Sequence, residues 1–292
     1  MELRDIGELA ASRQRAIIIN VGTRLPTTLA LLSTLRHAGM PVLLVDCESK
    51  DDSLATFRAM QATHAFDLVS APLKPHGRTL DWLFAHVRAD EVLLVDSDVE
   101  ILGPDIVAFM QQFIGDERTF GCGFIDGPGF LVAEKGFLHN AYYAERPWIP
   151  LAMLKTALVQ EALADGCSFV DKVVFNDFVS RGLLTKVMRR ARQSLPLLAR
   201  LGVDVPGALR TAHNGWRPEI VYYDTGAEVY QHLRFKKEQL FVGMPAHFAP
   251  RYATHFSGVS RHVVQGGGTA LDTIAPTVIE RLRSGYGVDA AL

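Results

Sequence analysis

Four short apolar runs, separated by stretches of helical periodicity, constrain this chain more than any other feature. Residues 16–20 (AIIIN), 42–45 (VLLV), 67–70 (DLVS) and 91–95 (EVLLV) are rich in branched side chains and show little apolar–polar alternation. Such runs suit strands buried on both faces of a parallel sheet. Between them, residues 27–37, 52–62 and 78–89 read as helices, and in the last of these Leu80, Leu83, Phe84 and Val87 share one face. Gly39 and Pro41 stop the first helix. The alternation predicts an α/β chain: a Rossmann-type α/β/α sandwich around a mixed, mostly parallel sheet.

The second half is less regular. Strands are expected at residues 120–125, 129–133 and 220–223, and helices at 151–164, 169–180 and 227–235. An extended segment at 246–257 and a C-terminal helix after the glycines at 266–268 complete the reading. No repeat or low-complexity linker divides the chain, so one mixed domain over residues 1–292 is expected.

Thirty Lys and Arg against 32 Asp and Glu leave a net charge of -2, which supplies no global attraction to nucleic acid or to an anionic membrane. Cys47, Cys122 and Cys167 are scattered, with no Cys-x-x-Cys pair, which argues against a disulfide framework or structural zinc. No apolar run approaches the roughly 20 residues that span a bilayer. Residues 1–15 hold no continuous apolar stretch for export, so a cytoplasmic location without membrane association is expected. The basic residues 186–192 read as a solvated helix over an acceptor pocket rather than a membrane dock.

The chemistry concentrates at Asp96-Ser97-Asp98, where the fourth apolar run ends. In an open α/β sheet, ligands bind beyond the carboxyl ends of the strands. Two carboxylates leaving the sheet there can grip a divalent cation, and the cation can hold a diphosphate. An acidic turn of the same composition is common, but its place at the end of a βα series favours function.

This arrangement resembles the GT-A class of nucleotide-sugar-dependent glycosyltransferases, marked by an Asp-x-Asp at the end of a buried strand. The resemblance implies a GT-A-like fold with a nucleotide-binding half over residues 16–102. An acceptor half with a C-terminal metal-ligand segment would then occupy residues 103–292. It implies a divalent metal, Mn²⁺ or Mg²⁺, bound by Asp98 and Asp96, with Asp96 also on the ribose and Ser97 near the nucleotide. Asn20, Val21, Gly22 and Thr23 would cup the donor's base after the first strand. Asp46 can accept a hydrogen bond from the base, or serve as a turn or capping residue. Arg78 can meet phosphate or base, and Asp81 ribose or solvent.

Two further stretches resemble the retaining, glycogenin-like branch. His255-Phe-Ser-Gly258 followed by Arg261 is similar to its His-x-x-Gly-x-x-Lys motif, with Arg for Lys and His262 for the usual Pro. The resemblance implies His255 as a third metal ligand and Arg261 as the holder of the departing diphosphate. A guanidinium can take two phosphate oxygens at once, and an imidazole shifts metal preference toward Mn²⁺. Asp171 and Asn176 keep the spacing of the branch's Asp-Gln-x-x-x-Asn near the donor sugar, with Lys172 in place of Gln. The same residues also fit an amphipathic helix with Val170, Val173, Val174 and Phe178 inward. Asp224 can orient or deprotonate an acceptor hydroxyl, or cap a helix starting at Ala227. Trp216 can stack on a sugar or pack inside.

Together these features imply sugar transfer from a nucleotide diphosphate sugar, UDP-linked first, to a carbohydrate or other hydroxyl-bearing acceptor, by retention or inversion. Two other readings stay open. Residues 20–26 (NVGTRLP) echo the Gly-x-Gly-Thr-Arg-Leu-x-Pro loop of sugar-1-phosphate nucleotidyltransferases, but Asn20 replaces the first Gly and no Lys follows within residues 27–35. A non-catalytic nucleotide-sugar-binding module would bind without turnover, and the three metal-ligand candidates argue against it. Asp171 is the choice for the carboxylate at the reacting sugar, so Asp171→Asn should cut turnover roughly 10²-fold or more at near-normal donor affinity. Asp224→Asn should act chiefly on the acceptor's KM or on stability, and steady-state kinetics of both variants decide between them.

Overall fold

The computed structural model describes residues 6–126, 142–175, 178–181, 213–214, 217–218, 220–244, 249–259, 263 and 269–288. Its first part follows the sequence pattern closely. Strand β1 (Ser12–Asn20), helix α1 (Arg24–His37), β2 (Val42–Asp46), α2 (Ser53–Met60), β3 (Asp67–Ser70), α3 (His76–His86) and β4 (Ala89–Asp96) succeed one another. A short β5 (Val99–Ile101), α4 (Asp105–Ile114) and β6 (Thr119–Asp126) follow. The apolar strands bury both faces, as their composition requires: Ile18, Leu93 and Val95 pack with α1, α4 and the C-terminal helix Leu271–Tyr286. Ile17, Val92 and Leu94 pack on the opposite face with α3 and α5 (Thr156–Ala164). The result is three layers.

After β7 (Tyr142–Tyr143) come β8 (Arg146–Lys155), α5, β9 (Lys172–Phe175), β10 (Phe178–Arg181), β11 (His213–Asn214), β12 (Arg217–Pro218) and β13 (Ile220–Tyr223). A helix, Ala227–Gln231, widens into a π turn at His232–Lys236 and leads to β14 (Leu240–Met244). Another short helix, Ala249–Tyr252, precedes β15 (Ala253–His255). Seven strands form the main sheet in the order β14-β6-β8-β4-β1-β2-β3. Strand β8 runs antiparallel to both of its neighbours, and every other pairing in this sheet is parallel. The expected mixed, mostly parallel sheet is present. Among the described residues a second sheet runs β10-β9-β13-β7, and β15 pairs with β5.

Three expectations need correction. Residues 151–155 belong to β8 rather than to a helix, because Leu151, Ala152 and Met153 are buried between β4 and β6. Residues 172–175 and 178–181 form an antiparallel pair of strands instead of one helix, and β9 gains a second partner in β13. Apolar residues at helical spacing deceived here; Val173 and Val174 are β-branched and their partners are remote in sequence. The segment read as extended over 246–257 contains the helix Ala249–Tyr252 before β15. Strand β14 had no sequence signal, and residues 129–133 lie outside the described residues.

Gly77, in the first turn of α3, is the tightest approach between the layers that frame the site. A β-carbon there would lie 2.6 Å from the Phe169 carbonyl and from the Val170 Cα, and backbone cannot yield as a side chain does. Gly77→Ala should therefore cost about 1–3 kcal/mol through overpacking. Urea unfolding of the variant checks it, and an unchanged midpoint would show that the 168–171 loop is free to move away.

Candidate active site

The buried run of β4 ends at Asp96, and the chain turns at Ser97 and Asp98 into β5. Across β5 lies β15, in a register that pairs His255 with Val99 and Ala253 with Ile101. Two backbone bonds extend this ladder, Phe256 N–H to the Asp98 carbonyl at 2.8 Å and Leu102 N–H to the Tyr252 carbonyl at 2.9 Å. Pairing of three residues thus brings a histidine from far along the chain beside the Asp-x-Asp turn. Ligand atoms of Asp96, Asp98 and His255 all lie within 4.8 Å of one another.

Asp98 is 2% exposed, and its Oδ1 has no hydrogen-bond partner. His255 Nε2 stands 3.2 Å from that oxygen, an ion-pair contact without the alignment of a hydrogen bond. A buried acceptor left in this state costs about 1–3 kcal/mol. Burial pushes the Asp96 carboxyl above its ordinary value; His76 pulls it back, the charge of Asp98 adds to the rise, and His255 and Arg146 oppose it. Burial would hold the His255 imidazole down, but its contact with Asp98 and the charges of Asp98 and Asp96 raise it instead. The cluster is short of positive charge. Two carboxylates and an imidazole, one oxygen of them orphaned and buried, are a donor set that fits a Mn²⁺ or Mg²⁺ ion. The edge of Trp148, on β8, meets the His255 ring with centroids 5.2 Å apart and fixes its orientation from the side.

Behind this cluster, the other sequence-marked residues form a polar hub. Asn20 at the end of β1 is fully buried; its amide donates to Asp46 Oδ1 and Ser49 Oγ, both at 2.8 Å. Its Oδ1 accepts from the Thr23 amide at 3.1 Å and from the hydroxyls of Thr23 and Thr27. The Thr23 hydroxyl reaches Ser97 Oγ at 3.3 Å, which joins the hub to the Asp-x-Asp turn. Asp46 is 1% exposed and also accepts from the Ser49 hydroxyl and amide, so its carboxylate builds the turn after β2. Val21 and Gly22 follow at the rim, where Gly22 takes φ +86°, a left-handed conformation that glycine adopts without cost.

Arg78 is exposed on α3 and pairs weakly with Asp81 at 3.9 Å. Asp81 clamps the loop before β9 by accepting from Ser168 Oγ at 2.6 Å and the Phe169 amide at 2.8 Å. Asp171 directly precedes β9 and takes the Tyr222 hydroxyl at 3.4 Å. Lys172 turns the other way, buried in an ion pair with Glu228 and under the Tyr223 ring. The last pair of the β9–β13 ladder is Lys172↔Tyr223, so continuing the register by one residue sets Asp171 across from Asp224. Asp224 makes no side-chain cap; the N-cap of the following helix is Gly226, and Asp224 pairs instead with Arg146 at 3.1 Å. Asn176, Arg261, His262, Trp216 and residues 186–192 lie outside the described residues.

Sequence reasoning missed His76, Arg146 and Trp148. His76 begins α3 and Arg146 begins β8, and only the pairing of β8 with β4 brings Arg146 and Trp148 to this end of the sheet.

No protein-family profile matches this chain, and no curated protein does. Among solved structures, it is similar to S. aureus TarS 1-349 in complex with UDP, at 15% identity and a TM-score of 0.37, over 51% of this chain and 48% of that one. The chain therefore spans about half the length of that TarS chain. It is also similar to the mannosyltransferase PcManGT from Pyrobaculum calidifontis, solved with GDP-Man and Mn2+, at 15% identity and a TM-score of 0.42 over 97% and 79% of the two chains. A third likeness is to 4-diphosphocytidyl-2C-methyl-D-erythritol synthase from Anaerococcus prevotii, at 10% identity and a TM-score of 0.39 over 53% and 75%. Likenesses this distant leave the reaction to be read from the residues themselves.

The hub's energetic role is open to measurement. Asn20→Ala removes the centre of five hydrogen bonds and leaves buried groups on Asp46 and Thr27 short of partners. A loss of about 1–3 kcal/mol in chemical denaturation is expected. A change below about 0.5 kcal/mol, the usual scale of a surface substitution, would show that water replaces the amide.

Proposed function

We propose that the chain is a metal-dependent glycosyltransferase that moves a sugar from a nucleotide diphosphate sugar to a hydroxyl-bearing acceptor. The observation that carries this reading is the gathering of Asp96, Asp98 and His255 at the carboxyl end of the central strand, with a buried Asp98 oxygen left without a hydrogen-bond partner. Asp96, Asp98 and His255 would hold the cation, Mn²⁺ in preference to Mg²⁺ because of the imidazole. When bound, the ion supplies positive charge for the donor's diphosphate. Arg261 would add a second charge there, bidentate to phosphate oxygens. Asn20, Thr23 and Ser97 form the rigid floor under the nucleotide, with Val21 and Gly22 as its lip. Asp46 already holds three hydrogen bonds, and a floor with so little spare acceptor capacity suits a base with one ring N–H; a UDP-sugar is accordingly the donor proposed first.

On the other side of the site, Asp171 would lie at the reacting sugar and Asp224 at the acceptor. A carboxylate by the sugar stabilises the positive charge that develops as the glycosidic bond loosens, and one by the acceptor can take or orient its proton. Because the two acids stand across from each other at one ladder end, they serve one site. The nucleotidyltransferase reading gains nothing from the β1–α1 loop. There the Thr23 amide is already engaged by Asn20, whereas a phosphate cradle needs its amides free.

Asp98→Ala should abolish turnover of UDP- and GDP-sugars and remove the stabilisation that Mn²⁺ gives to nucleotide binding, with the fold intact by circular dichroism. Full activity in EDTA, or an active Asp98→Ala variant, would sink the metal-dependent reading. Pyrophosphate release from an NTP and a sugar phosphate would favour the nucleotidyltransferase.

A further inference from the structure

The two sides of the site are joined by one residue that no motif marks. Strand β8 runs antiparallel to β4, and their last pair is Val95↔Leu151, so residues 146–150 continue past the end of β4. Arg146 begins this overhang. Its guanidinium lies 3.1 Å from Asp224 Oδ2 and close enough to Asp96 for its charge to act on that carboxyl. Its backbone neighbours are held firmly. The Ala144 amide donates to the Tyr222 carbonyl at 3.0 Å, and Gln231 Nε2 donates to the Glu145 carbonyl at 2.7 Å. Glu145's own carboxylate takes the Tyr230 hydroxyl and the Arg234 guanidinium. Arg146 is thus mounted on a fixed support, with 18% of its side chain exposed.

Resting on the glycosyltransferase reading, we infer that Arg146 is a positioning residue: it holds the Asp224 carboxylate toward the Asp96 end of the site, where the acceptor's proton must be taken or oriented. Asp224 is about one-third exposed, and its other oxygen is tied only to the amide of Thr225 next in the chain. Without Arg146 its rotamer has no long-range restraint among the described contacts. A guanidinium is suited to the task, because its planar fork fixes direction where a lysine fixes only charge. In this role Arg146 acts through Asp224, and the donor's diphosphate is left to the metal ligands and Arg261.

The experiment is a double-mutant cycle on the full chain with Arg146→Gln, Asp224→Asn and their combination, and Arg146→Lys as the conservative variant. The readouts are hydrolysis of whichever UDP- or GDP-sugar the wild type hydrolyses fastest with Mn²⁺, and the Kd of the matching nucleoside diphosphate with Mn²⁺ by calorimetry. Removing the restraint should lower kcat at least tenfold or so in each single variant, within the range a positioned acid or base supplies. The double variant should be no worse than about twofold beyond either single, because residues acting as one unit are not additive. Arg146→Lys should recover part of the rate, and the nucleotide Kd should stay within about threefold throughout, since the cycle leaves the metal ligands intact. Fully additive losses, an Arg146→Lys variant as inactive as Arg146→Gln, or a nucleotide Kd weakened by Arg146→Gln alone would overturn the assignment while leaving the enzyme a glycosyltransferase. A wild-type chain that hydrolyses and binds no sugar nucleotide would overturn that underlying reading and this inference with it.

Discussion

Everything at the mouth of this sheet depends on where β4 stops being apolar. Val92, Leu93, Leu94 and Val95 are at most 3% exposed, sandwiched between β1 and β8 and covered on both faces. Burying four such side chains is worth about 1.5–3 kcal/mol each, more than the roughly 3–5 kcal/mol cost of a buried acid without its partner. A slip of one residue would exchange the faces of the whole strand. Register is therefore set by the apolar run, and the carboxylates take whatever environment lies beyond it. Burial of Asp96 and Asp98 follows from strand packing.

Glu100 shows what the fold does with an acid it needs only to neutralise. It is 5% exposed on β5, two residues past Asp98, and burial raises its carboxyl while Arg281 of the C-terminal helix lowers it. Arg281 answers it directly at 2.5 Å with a charge-assisted hydrogen bond. Asp98 sits on the same stretch, is as deeply buried, and also faces the C-terminal part of the chain. What it meets there is an imidazole at 3.2 Å with poor alignment. One segment of chain thus closes over two buried acids, gives one a full cation and leaves the other short. That contrast between neighbours separates a structural acid from a ligand better than burial does.

How much of this was legible in the sequence varies with the range of the interactions. Strands β1 to β4 and helices α1 to α3 could be read because their pattern reflects burial by neighbours close in sequence. His255 could be read because its spacing to Gly258 and Arg261 is local. The hairpin of β9 and β10 could not, since Val170, Val173, Val174 and Phe178 satisfy helical spacing as well as strand composition, and only β13 decides between them. That error touched the candidate site. On a strand, Lys172 faces away from Asp171 and is consumed by Glu228, so its departure from the family's Gln does not put a lysine beside Asp171. Arg146 and Trp148 were invisible for the same reason: their meaning comes from β8 lying beside β4, a pairing between runs more than fifty residues apart.

The alternation of a single strand then explains how the two halves keep a fixed separation. Glu145 and Arg146 are adjacent, so they serve different partners: Glu145 holds Tyr230 and Arg234, Arg146 holds Asp224. Two residues further along, Trp148 orients His255. Still further, residues 151–155 are locked to β4 itself. One continuous strand therefore reaches the acceptor-side acid, the histidine of the metal cluster and the strand that ends in Asp96. A site supported on a sheet strand is held more tightly than one assembled from loops. Here that places the tolerance between Asp224 and the Asp96–Asp98–His255 cluster under the control of β8, and the loops around the mouth are left free to differ in what they bind.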